Sequence, residues 1–289
     1  MNNDRKRGNQ MTIKIVTDSS VQLTPEEIEK YQIHIIPLTI MIDGTVYIDG
    51  ETITREEFMT KMAQASALPK TSQPAIGTFL ELFDDLTKDG SEVLALHMLE
   101  AISGTVNSAR QAAELSQGKV TVWDSDFTDR ALSFQVIEAA KMAQAGADMD
   151  AILAKMAEVR DHTRLVMGVS NLDNLVKGGR ISKVSGLLSS LLNIKVILQV
   201  KDGQLTALQK GRGMKTLNKF VDGFVEDMKK EAHILAVGIS HADGLEMAEQ
   251  YGALIKAAVP DVPILIRPTD PVIATHTGAG AFAIMYYTA

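Results

Sequence analysis

Four short stretches of this sequence gather side chains able to bind or transform a small molecule. In Lys70-Thr71-Ser72-Gln73-Pro74 two adjacent hydroxyls precede a helical pattern. Thr71 and Ser72 can cap that helix or, with the free backbone N–H groups of its first turn, receive an anionic oxygen. Ser103-Gly104-Thr105 stands where a strand turns into a helix. It offers two hydroxyls around a glycine that lets a ligand approach the backbone, or again simply a helix cap. Ser103 lacks the flanking glycines of a nucleophile elbow, and no histidine and acid partner can be assigned to it, which argues against a hydrolase. In Gly178-Gly179-Arg180-Ile181-Ser182 a glycine pair stops a helix. Arg180 after it can grip a carboxylate or phosphate bidentately, or serve as an ordinary surface arginine. Thr275-His276-Thr277-Gly278 exposes an imidazole in a glycine-rich turn, and histidine is well suited to donate to a carboxylate near neutral pH. Binding and purely structural roles both remain open for His276 on this reading. His34, His97, His162, His233 and His241 show no metal-ligand spacing, so no metal site is expected.

These stretches need elements to position them. Residues 12–17 form a short β-branched run ending in Asp18-Ser19-Ser20, and Thr24-Pro25-Glu26-Glu27 opens a helix with a capping box and proline at its first position. Asp43-Gly44 between two apolar runs predicts a hairpin, and Thr54 with Glu57 caps a further helix. Strand and helix patterns then alternate: 92–99, a helix after Ser103, 119–123, and a helix over 127–145. Alternation of this kind predicts a parallel sheet covered by helices. Ligands of open parallel sheets sit beyond the carboxyl ends of the strands, where Asp18-Ser19, Ser103-Gly104-Thr105 and Asp124-Ser125 fall. From residue 164 onward the pattern changes to strands over 164–169, 194–200, 204–208, 233–239, 262–266 and 281–287, with a hairpin at Asp202-Gly203 and a long helix over 215–230. The expected fold is therefore α/β in two domains. Residues 12–160 form a parallel-sheet domain and residues 161–289 a domain with a mixed or antiparallel sheet, with a ligand between them. Residues 1–11 read as a disordered extension.

Composition narrows the function. The 289 residues are 45% hydrophobic and 22% charged, the balance of a soluble globular protein with a sizeable core. A formal net charge of −7 gives no basic footprint for nucleic acid. The sequence contains no cysteine, which removes disulfides, thiolate metal sites and thiol catalysis. No apolar run approaches the ~18 residues of a membrane span and the start lacks a signal-peptide core, so the expected location is the cytoplasm.

Taken in order, Val16-Thr17-Asp18-Ser19, Ile36-Pro37-Leu38, Thr71-Ser72-Gln73-Pro74, Ser103-Gly104-Thr105, Trp123-Asp124-Ser125, Gly178-Gly179-Arg180-Ile181-Ser182, Leu191-Leu192-Asn193-Ile194-Lys195, Asp202-Gly203, Lys210 with Arg212, and His276-Thr277-Gly278 make the chain resemble the DegV family from Met11 onward. Members of that family look like the fatty-acid-binding subunit of bacterial fatty acid kinase. The resemblance implies a long-chain fatty acid between two domains, with its carboxylate held by Thr71, Ser72 and His276, and with Ser103, Gly104, Thr105 and Thr277 beside them. It implies that Ile181, Leu187, Leu188, Leu191, Leu192 and Ile194 wall the acyl chain, although leucines at helical spacing are more often plain core. It also implies a partner ATP-binding kinase that phosphorylates the carboxylate to an acyl phosphate feeding phospholipid synthesis, with Arg180 or Arg212 aiding docking or phosphate charge. On that reading the chain has no catalytic residue and no cofactor of its own, and no Walker-type loop is found. Burying roughly 14 methylenes at about 0.8 kcal/mol each offers on the order of 11 kcal/mol before association costs, so the tail supplies affinity while the head group fixes orientation.

One position departs from the pattern. Many relatives carry a serine pair before the Ser-Gly-Thr motif, where this chain has Leu99-Glu100. A glutamate facing a fatty carboxylate repels it unless one of the two is protonated, so either Glu100 points away or it weakens binding of the ionised acid. Two rivals share the expected fold: a stand-alone lipid carrier or sensor, and a small-molecule enzyme using Ser103 or His276.

Overall fold

The computed structural model describes residues 12–187 and 194–289. The expected disordered extension over residues 1–11, and Leu188, Leu191 and Leu192, lie outside the described residues.

The chain opens with β1 (Ile13–Asp18) and α1 (Pro25–Tyr31), the latter closed by the anticipated reciprocal capping box of Thr24 and Glu27. β2 (His34–Ile36), β3 (Thr39–Ile42) and β4 (Thr45–Ile48) follow, then α2 (Arg55–Gln64) under its own Thr54/Glu57 box. β5 (Lys70–Ser72), α3 (Ile76–Thr87), β6 (Glu92–His97), α4 (Thr105–Leu115), β7 (Val120–Asp124), α5 (Asp129–Gln144) and α6 (Met149–Asp161) complete the first half. The second half runs β8 (Thr163–Val169), α7 (Asp173–Lys177), β9 (Val184–Ser185), β10 (Lys195–Lys201), β11 (Gln204–Gly211), α8 (Met214–Met228), β12 (Ile234–His241), α9 (Leu245–Ala258), β13 (Ile264–Pro268), α10 (Pro271–Thr277) and β14 (Phe282–Thr288).

Three sheets result. The four-stranded sheet β2-β1-β6-β7 is parallel throughout, as the alternation predicts. Every residue of β6 is buried, as a central parallel strand covered on both faces requires. The seven-stranded sheet β13-β12-β14-β8-β10-β11-β9 is mixed: its central pairs are antiparallel, while β12–β13 and β9–β11 are parallel. One face packs on the cluster around Phe134, Leu198 and Met285, and the other on α8 and α9 through Leu217, Val221 and Ile255.

The third sheet, β4-β3-β5, was only half visible in the sequence. The Asp43-Gly44 hairpin is there, but Lys70-Thr71-Ser72 adds a third strand to it, with Thr71 opposite Ile40. Thr71 and Ser72 therefore do not cap the next helix. Its cap is Ala75, without a side-chain bond. The open edge of β3 satisfies the backbone of 70–72, and Pro74, having no N–H, ends the ladder.

His276 is also placed differently from expectation. It sits in the last turn of the short helix α10, not in a free turn. Asp270 accepts from the N–H groups of Val272 and Ile273, Pro271 holds the first position, and Gly278 at φ +75° ends the helix. The Asp-Pro pair is an N-terminal signal that was legible in the sequence.

Candidate functional site

The largely apolar slot between the four- and three-stranded sheets and the seven-stranded sheet is narrow, with about 900 Å³ of atom-free space including its open mouth. Its floor follows from register. Val184, Leu205, Val200 and Leu165 are successive cross-strand partners across β9, β11, β10 and β8. Met167 and Ala283 pair in the next row, and all six line the slot. Period-two alternation sends these side chains to one face while Val166 and Ile197 go to the other, against α8 and α9. Met98, Leu99, Ile102, Leu175, Val272 and Ile273 supply the remaining apolar wall.

At one end the lining becomes polar: Thr71, Ser72, Gln73, Ser103, Arg180, His276 and Thr277. Contacts at this end bridge distant parts of the chain. The Thr71 hydroxyl and His276 Nε2 are 3.0 Å apart, although 205 positions separate them in sequence. Arg180 donates from Nε to the Ile102 carbonyl (3.2 Å) and from Nη1 to the Gly178 carbonyl (2.9 Å), tying the second half to the first. Gly178 must be glycine, because a Cβ there would stand 2.3 Å from His276 Nδ1. Gly179, at φ +73°, then completes the expected Schellman stop, with Gly179 N–H to Val176 O and Arg180 N–H to Leu175 O. A Cβ at Gly104 would lie 2.6 Å from Gln73 Oε1, the far end of a flexible side chain that can swing aside. Ser72 and Gln73 are exposed, and Thr71, Ser103 and Arg180 half-buried, so this end is the mouth.

Burial, and then the charge of Arg180, push the His276 imidazole down to about 4, so the ring is neutral near pH 7. If Nε2 carries the proton, it donates to Thr71 and leaves the threonine O–H free to point into the slot. Ser103 does not meet a histidine. Its hydroxyl lies 2.8 Å from that of Thr105 and accepts the Thr105 N–H, a local turn at the entrance of α4. Gly104 and Thr105 stand behind the mouth and do not line the slot.

Other expectations fall elsewhere. Ile181, Leu187 and Ile194 pack on the cluster that surrounds the slot but do not line it. The sheet rows take that place, because a wide pleated face offers more continuous apolar surface than one segment. Arg212 is exposed, outside the lining. Glu100 points away from the slot: its carboxylate pairs with Arg110 at 2.7 Å, and both side chains are nearly half exposed. Asp18 and Asp124, at the strand ends, fasten loops and do not line the slot. Asp18 accepts from Met98 N–H and meets His97 at 3.1 Å, and Asp124 accepts from Glu100 N–H.

Sequence reasoning missed an acidic seam that reaches the slot, whose lining also includes Thr128 and Asp129. Asp49, Asp129 and Asp270 are buried around the Arg55 guanidinium, which donates to the carbonyls of Pro268 and Val21. Thr269 donates to Asp129, and Arg267 to the Leu23 carbonyl, so the seam joins the two halves. Burial raises Asp49 and Asp129 to about 6, against the lowering charge of Arg55. Asp270 is raised further by burial and by its two acidic neighbours. Among the described residues no group of three histidine, cysteine or acidic side chains is placed to hold a metal, and no helix is long and apolar enough to cross a membrane.

Comparison with known proteins agrees with this architecture. A family model described as "Uncharacterised protein, DegV family" matches residues 12–289. A DegV domain-containing protein of Streptococcus pneumoniae is 50% identical over 273 residues, covering 94% of this chain and 97% of the relative. The solved structure of DegV from Bacillus subtilis, titled a fatty acid binding protein, superposes with a TM-score of 0.89 at 29% identity, covering 96% of this chain and all of that one. A fatty acid binding DegV family protein from Streptococcus agalactiae gives 0.86 at 30% identity, covering 96% and 99%.

Proposed function

This chain belongs to the DegV family, and from that premise we propose that it binds a long-chain fatty acid in the slot and presents the acid's carboxylate to a separate ATP-dependent kinase for acyl phosphate formation. The observation that carries the reading is the apolar two-row floor running up to a polar mouth where Thr71 and His276 meet. Solved relatives titled fatty acid binding proteins support it.

In this reading residues 12–160 and 161–289 are two lobes closing on the ligand. The alkyl tail lies on Met167, Leu165, Val200 and Leu205. Thr71 and Ser103 donate hydroxyl hydrogens to the carboxylate, Ser72 and Thr277 flank it, and the neutral His276 orients Thr71. Arg180, half-buried at the mouth, favours the ionised form. Because the mouth is the exposed end, the carboxylate oxygen that must attack a phosphoryl group is the part of the ligand a kinase can reach. Arg212, exposed and off the slot, suits partner docking better than ligand binding. Use of ATP agrees with action in the cytoplasm.

Denaturing the purified protein and identifying the released apolar molecule by mass spectrometry tests the binding step, with a long-chain acid expected. His276→Ala should weaken that acid about tenfold, because Thr71 loses the partner that aims its hydroxyl at the carboxylate. Acyl phosphate should form only when protein, kinase, ATP and acid are combined. Release of a different ligand class, or tight binding unaffected by His276→Ala and Thr71→Ala together, would refute the assignment. Acid binding without acyl phosphate would leave a stand-alone carrier.

A further inference from the structure

One cross-strand pair on the apolar floor of the slot also borders a second space. Leu165 and Val200 are direct cross-strand partners on β8 and β10. Both line the slot, and both also line a second, wider groove. They are buried, at 4% and 8% exposure, and form the last registered pair at this end of the β8–β10 ladder, where the two spaces share them. The groove continues along the Asp202 turn and α8, where Phe127, Phe224 and Leu208 offer apolar surface, Leu208 being 44% exposed. Its rim carries charges of both signs, including Arg160 and Asp227.

We propose that Leu165 and Val200 set the longest acyl chain the slot accepts, and that removing this partition lets the terminal carbons continue into the groove over Leu208. The proposal rests on the fatty-acid reading above and adds a length limit to it. Up to the partition, each two-carbon extension buries two more methylenes and tightens binding about tenfold. Beyond it, an added carbon must displace packed side chains, and affinity falls.

The test is a chain-length profile, from tetradecanoic to docosanoic acid, measured by displacement of a fluorescent fatty acid. Val200→Ala should move the best-bound acid longer by at least one two-carbon step, with about tenfold gain for the longer acids relative to the shorter. Val200→Ile, which adds one methylene to the partition and keeps a β-branched strand residue, should move it shorter. Adding Leu208→Asp, on an exposed side chain, should cancel the gain of Val200→Ala and leave the parent profile alone.

The protein supplies its own reporter of position. Trp123 is its single tryptophan, and the Arg160 guanidinium that borders the groove stands 5.0 Å from the centre of its ring. An acid brominated at its terminal carbon should quench Trp123 in Val200→Ala and not in the parent. Profiles that coincide across parent, Val200→Ala and Val200→Ile would overturn the length limit while leaving fatty acid binding intact. A parent that binds no acid of any length would overturn the underlying function instead.

Discussion

At the mouth of the slot, Thr71, Ser103 and His276 arrive from an edge strand, a strand-to-helix turn and the end of a short helix, whereas the floor is two rows of partners in one sheet. The mouth depends on a few long-range meetings, each protected by a glycine or a cap. The floor depends on register, and each side chain has equivalent neighbours. Loss at the mouth should therefore alter orientation and cost about tenfold in affinity, while a charge on the floor should cost about a hundredfold. A buried charge is expensive anywhere in a slot, but one hydroxyl among several can be replaced.

The strongest challenge to that contrast is Met167→Asp. Met167 is only partly buried and faces the slot, so the variant should fold with its new carboxylate in contact with slot water. Covering that charge with an alkyl chain should cost about 3 kcal/mol or more, roughly a hundredfold in affinity by titration calorimetry. A loss no larger than that of His276→Ala would show that the floor does not carry the affinity.

A second prediction concerns the seam that holds floor and mouth together. Burial raises Asp129 from 3.8 to about 6. A raised carboxyl contributes stability that is complete below 3.8 and is lost as pH rises through about 6. Asp129→Asn should keep an acceptor for Thr269 and escape that loss. The variant should be more stable than the parent by at least about 1 kcal/mol above this window and equal to it below. Urea melts across the window check the sign, and a variant destabilised at every pH would make Asp129 an obligatory ion-pair partner of Arg55.

The smallest effect is expected at Glu100. Its carboxylate pairs with Arg110 outside the slot, so Glu100→Ser should change fatty acid affinity by less than about twofold at any pH, the scale of an exposed ion pair. A larger, pH-dependent gain would mean that Glu100 swings toward the mouth on binding.

Much of the fold was legible before any coordinates. Capping boxes at Thr24 and Thr54, hairpins at Asp43-Gly44 and Asp202-Gly203, and the Schellman stop at Gly178-Gly179 are local devices, and each appears where its residues stand. The candidate mouth residues were legible as types, because hydroxyls and an imidazole beside glycines are unusual. What they would meet was not. Lys70-Thr71-Ser72 read as a helix entrance, because nothing local reveals that β3 lacks a partner on that edge.

The sequence by itself determined the parallel sheet, the local turns and the set of polar side chains available at the mouth, since those follow from periodicity and from interactions between residues a few positions apart. Only the tertiary structure decided which apolar residues form the slot and which carboxylates share Arg55. Leu165, Val200 and Leu205 look like any strand core in the sequence, and Asp49, Asp129 and Asp270 like ordinary surface acids. Strand order and the closure of two sheets on one another are fixed by burial of whole faces, a property of the folded chain that no short stretch contains.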